Sequence, residues 1–139
     1  MGKYGTTAVQ AATLLRDGHT SADEAWRDVA AEVFPDAPEA NKKGCPREVF
    51  LGLCEAGLIR GVSASTCRKV DSPSLNRSYS VAAARLHVAD PGLASGSKID
   101  LWHRVMTESG ADPGKNQNSQ MDVVLALWNA GLIDTSAAS

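Results

Sequence analysis

The sequence predicts an all-α fold, with internally duplicated three-helix units giving about six helices packed as one compact domain over residues 1–139. Three observations carry that prediction. One helix ending is written twice, the segments before it match in the same order, and cap and stop signals bracket each segment. The repeated ending is "CPREVFLGLCEAGLI" (Cys45 to Ile59) and "SQMDVVLALWNAGLI" (Ser119 to Ile133), which align without gaps at seven identities in 15 positions. Composition alone would supply roughly one. Upstream, Ser21, Glu24 and Trp26 answer to Ser97, Asp100 and Trp102, and further back "YGTTAVQAATLL" faces "YSVAAARLHVAD" with Tyr4 on Tyr79. The result is repeat 1 over 3–60 and repeat 2 over 78–134, joined by a basic, serine-rich connector at 61–77 and followed by a tail at 135–139 that is expected to fray.

Each element has a local reason. The first helix is expected from about Thr6 to Arg16, stopping at Gly18. The second opens on a capping box, Ser21 with Glu24 three residues later, and ends before Pro35. The third takes Cys45 as N-cap and Pro46 as its first residue, where a missing N–H is harmless. Glu48 then meets the positive end of the helix dipole. Gly57 followed by Leu58 predicts a Schellman ending, glycine left-handed and leucine folding back on the last turn. The connector carries Pro73 and reads as an extended link, with a short strand near Gly61 and Val62. In repeat 2 the first helix is expected from about Ser78 to Ala89, before Pro91. The second runs from the Ser97–Asp100 box to near Gly110, and the third from Ser119 to the Gly131–Leu132 ending. Both third helices are apolar around most of their girth (Val49, Phe50, Leu51, Leu53; Val123, Val124, Leu125, Leu127, Trp128), which assigns them to the centre of the core. Two trios packed face to face about a pseudo-twofold axis satisfy that requirement.

The bulk numbers exclude several classes. Hydrophobic residues at 43% and charged residues at 22% are ordinary for a globular protein. No apolar run approaches the roughly 20 residues that span a bilayer, and "MGKYGTTAVQ" has no apolar secretory core, so a cytoplasmic protein with no membrane association is expected. Three cysteines (Cys45, Cys54, Cys67) are an odd count and too few for a disulfide scaffold. The net charge of −2 leaves no global nucleic-acid footprint. Yet residues 42–85 hold eight bases against three acids, a local +5 that leaves −7 for the rest.

Candidate chemistry is sparse. Cys45, as a helix cap beside Lys42, Lys43 and Arg47, has the surroundings that lower a thiol pKa, yet it also reads as a plain substitute for the serine at Ser119. His19, His87 and His103 are scattered, so none is placed to serve it. Cys54 is expected in the core, like its counterpart Trp128. No C-x2-C or paired-histidine spacing supports a metal site, and no cofactor motif occurs; "GADPGK" lacks the glycine spacing and hydroxyl of a phosphate loop. A DNA-reading helix needs an exposed polar face, whereas the third helices are apolar. Trp26 and Trp102 are expected to pack each second helix onto the third rather than form a ligand box.

The run "NKKGCPREVFLGLCEAGLIRGV", with "KYGTTAV" and "QMDVVLALWNAGLI", resembles an uncharacterised family of short bacterial proteins over nearly the whole chain. That resemblance implies a shared fold and brings no activity, cofactor or catalytic residue with it. The functional expectation therefore rests on charge. It is a non-catalytic interaction module binding an acidic protein or nucleic-acid phosphates through Lys42, Lys43, Arg47, Arg60, Arg68 and Lys69. The alternative is a small cysteine-dependent enzyme or redox sensor using Cys45. A homodimer through exposed apolar faces is compatible with either.

Overall fold

The computed structural model describes residues 3–18, 21–35, 44–62, 75–90, 92, 98–111 and 120–134, with backbone alone at 44–45, 75–77 and 98. Among these residues the chain forms six helices: α1 (Lys3–Arg16), α2 (Ala22–Val33), α3 (Gly44–Glu55), α4 (Leu75–Ala89), α5 (Lys98–Glu108) and α6 (Gln120–Asn129). The all-α prediction holds.

Several local signals work as read, while the caps expected at Ser97 and Ser119 lie outside the described residues. Ser21 caps α2 in extended backbone, its hydroxyl accepting from the Glu24 amide at 3.2 Å. Both predicted Schellman endings form: Leu58 N–H donates to Leu53 C=O at 2.9 Å and Gly57 N–H to Cys54 C=O at 3.0 Å. The matching bonds run from Leu132 to Leu127 at 2.9 Å and from Gly131 to Trp128 at 3.0 Å. Gly57 and Gly131 sit at φ 72° and 73°. α5 ends the same way at Gly110, through Ala111 N–H to Met106 C=O at 2.8 Å.

Three boundaries differ, each for a physical reason. α1 begins at Lys3 rather than Thr6 because tertiary packing holds its first turn: the Tyr4 ring lies 4.9 Å from that of Phe34, and the Lys3 ammonium 5.7 Å from the Phe34 centroid. α4 begins at Leu75, so it absorbs the end of the expected connector. α3 begins at Gly44, which places Cys45 inside the first turn rather than at the cap. Pro46 remains among the first N–H positions that have no intrahelical acceptor, so it is tolerated there. The expected strand at Gly61 and Val62 is absent. Gly61 is in a turn, and a single antiparallel bridge forms two residues earlier, between Ile59 and Ile133.

The core belongs to α3 and α6, where Val49, Phe50, Leu51, Leu53, Met121, Val123, Val124 and Leu127 are all buried. Leu125 and Trp128 are only half-buried, so the girth of α6 is not wholly covered. Packing crosses between the two trios: α1 lies on α2 and α6, and α4 lies most extensively on α3. What permits this is a face of small residues on each first helix, Gly5, Ala8, Ala11 and Ala12 on α1 and Ser80, Ala83 and Ala84 on α4, which lets backbones approach closely. The Trp26 ring lies 5.3 Å from that of Phe50 and so joins α2 to α3 as expected, and Trp102 meets Tyr79 on α4 edge-on at 5.5 Å.

Candidate functional site

The turns after α3 and α6 meet at a seam. Arg60 N–H donates to Leu132 C=O and Asp134 N–H to Leu58 C=O, each at 2.7 Å, on either side of the Ile59–Ile133 bridge. Both isoleucines are buried, at 1% and 2% exposure, so the bridge closes over the core. The Arg60 side chain is exposed and follows the same seam, its Nη2 donating to Ile133 C=O at 3.3 Å.

Beside it lies Gly61, which sequence reasoning placed in a short strand and not in a site. Gly61 has φ 79°, and a Cβ built there would sit 3.0 Å from Arg16 Nε and 3.1 Å from Arg16 Cγ. The Arg16 side chain therefore lies across Gly61, bringing a second guanidinium to the seam from the far end of α1. A Cβ there would press on the Arg16 side chain, which would have to shift by a few tenths of an ångström. The signal in the sequence was a glycine directly after Arg60, which does not say which distant side chain fills the space.

Of the other expected binding residues, Lys42, Lys43, Arg68 and Lys69 lie outside the described residues. Arg47 stands in the first turn of α3, half-buried rather than free on the surface, and its buried Nε has no hydrogen-bond partner among the described residues. Cys45 is fixed in backbone only, and Cys67 lies outside the described residues. Cys54 is fully buried and outside any disulfide, as its core assignment required. Among the described residues no three His, Cys, Asp or Glu side chains converge as a metal site, and no helix is long and apolar enough to cross a membrane. Ile99, 46% exposed, is the one large hydrophobic left in solvent among them.

His87, one of the three scattered histidines, is fully buried on α4. Its Nδ1 lies 3.0 Å from Ala83 C=O; a carbonyl only accepts, so Nδ1 carries the proton and Nε2 the lone pair. That Nε2 is buried without a partner among the described residues, and the ring lies 5.0 Å from Trp128. Burial pushes the imidazole below its ordinary pKa, partly opposed by the Ala83 carbonyl and the Asp90 carboxylate.

Two grooves run beside the ends of the third helices. One, of about 510 Å³, lies between α3 and α4 and is lined by Gly52, Glu55, Ala56, Ser78, Val81, Ala82 and Arg85. The other, of about 260 Å³, lies between α1 and α6 and is lined by Thr6, Val9, Gln10, Asn129 and Ala130. A third hollow of about 310 Å³, between α1 and α2, is bordered by Asp28 and Glu32.

Neither the curated proteins nor the solved structures contain a match to this chain. The model of a family of unknown function, DUF6979, matches residues 1–134, and the chain belongs to that family.

Proposed function

We propose that the chain is a non-catalytic binding module whose working surface is the basic seam around Gly61. The observation that supports this most is the Arg16 side chain packed across Gly61, which adds a second guanidinium beside the exposed Arg60. The connector that leaves this point carries Arg68 and Lys69 in sequence. A compact basic site on a chain of net charge −2 suits a localised acidic partner better than a long polyanion, which the acidic remainder would repel. We therefore infer an acidic protein segment as partner. The odd number of cysteines, three, and a Cys54 thiol outside any disulfide suit a reducing compartment such as the cytoplasm. We also infer that the trios arose by duplication, supported by the paired sequence blocks and by the crossed packing of each first helix on the other trio's third.

Fluorescence titration of a polyglutamate peptide and of a short DNA duplex, each at rising salt, tests the reading. Polyglutamate should bind with steep salt dependence, and neutralising both Arg16→Gln and Arg60→Gln should weaken it about fivefold. Unchanged affinity in that variant removes the seam as the surface. Tighter binding of the duplex than of the peptide would make nucleic-acid phosphate the partner instead.

A further inference from the structure

Among the described residues, the groove between α3 and α4 is lined by one cation and one anion over an apolar floor, and its counterpart between α1 and α6 by neither. Arg85 and Glu55 line the first, together with Val81, Ala82 and Ala56. With Tyr4 aligned on Tyr79 and Val49 on Val123, Arg85 corresponds to Gln10 and Glu55 to Asn129. Gln10 and Asn129 are lining residues of the α1–α6 groove. Each charge of one groove is thus matched by an uncharged amide in the other. Charges kept only for solubility have no reason to appear as an opposite pair in one groove and vanish as a pair from its counterpart.

Size and local electrostatics point the same way. At about 510 Å³ the charged groove falls within the usual small-molecule range of about 300–1,000 Å³, and the uncharged one at about 260 Å³ falls below it. Glu55 is the last residue of α3, where the helix dipole adds partial negative charge that favours a cation. Arg85 is exposed, and its planar guanidinium matches a carboxylate through two parallel hydrogen bonds. We propose that the α3–α4 groove binds a small amphiphilic zwitterion of the amino-acid class. Its carboxylate sits on Arg85, its ammonium at Glu55 and the end of α3, and its hydrocarbon on Val81, Ala82 and Ala56. The site shares no lining residue with the Arg16–Arg60 seam, so it stands or falls separately from the acidic-partner reading.

The test is calorimetric titration of the full chain with leucine and with aminocaproate, alongside isocaproate and isoamylamine, which each keep one charge only. At least one zwitterion should saturate the protein and bind about tenfold tighter than either singly charged analogue, as expected for one charge-assisted contact. The double variant Arg85→Gln, Glu55→Asn installs the pair already present in the other groove and should weaken binding by at least about tenfold while unfolding like the parent. Because Arg85 is exposed, Arg85→Gln alone serves should the double variant fail to fold. No saturable binding of either zwitterion overturns the proposal. So does equal binding of a singly charged analogue, or unchanged binding in a folded variant.

Discussion

His87 shows how far one residue can depart from what its neighbours in sequence suggest. It lies on a helix of ordinary composition, yet packing leaves it fully buried, with Nε2 unpaired among the described residues. Since burial lowers its pKa, the unfolded chain takes up a proton at higher pH than the folded chain does. The contribution of His87 to stability is therefore whole above the ordinary histidine value of about 6.5 and is lost as pH falls from there through the folded value. Urea midpoints should be lower at about pH 5.5 than at about pH 7.5. In His87→Phe, which keeps a ring against Trp128 and removes the titrating nitrogen, most of that difference should disappear. An undiminished pH effect in the variant would assign it to other groups.

Helix ends are where short-range chemistry speaks most plainly. The Ser21 cap, the Gly57 and Gly131 endings and the stop at Gly110 were legible because each rests on contacts within about one turn. The start of α1 was not, because Phe34 of the next helix holds Tyr4 and Lys3 in place. Two glycines separate the local requirement from the tertiary one. A side chain at Gly57, φ 72°, would meet open space, so Gly57→Ala should cost only backbone strain, about 1–2 kcal/mol in chemical denaturation. Gly61 at φ 79° carries the same strain, and a methyl there must also push Arg16 aside. Gly61→Ala should therefore lose more stability than Gly57→Ala and, unlike it, weaken polyglutamate binding. Equal losses with unchanged binding would detach Arg16 from the seam.

At the scale of the molecule, the trios hold each other together. Each first helix lies on the third helix of the other trio, and the bridge between Ile59 and Ile133 joins residues 74 apart in sequence. Removing either isoleucine from so closed a position should cost about 2–5 kcal/mol. Because the two are bridge partners, Ile59→Ala and Ile133→Ala should be non-additive, with a coupling of about 0.5–3 kcal/mol in a double-mutant cycle followed by denaturant unfolding. A coupling of zero would mean that the seam contributes no joint stability.

The six helices, the Ser21 cap, the glycine stops and the burial of α3 and α6 were written in the chain itself, since those follow from apolar girth and from bonds between residues three to five apart; the cap expected at Cys45 was not. The sequence also marked Arg60 as part of a basic segment. Tertiary contact alone set that the first helices cross over, that Arg16 reaches Gly61, that His87 is sealed in while Trp128 is half out, and that Arg85 and Glu55 line one groove. Each of these depends on which surfaces meet, and that is settled by the fit of small-residue faces and side-chain volumes brought together from distant parts of the chain. Local periodicity records that a face is buried, and it is silent about what the face is buried against.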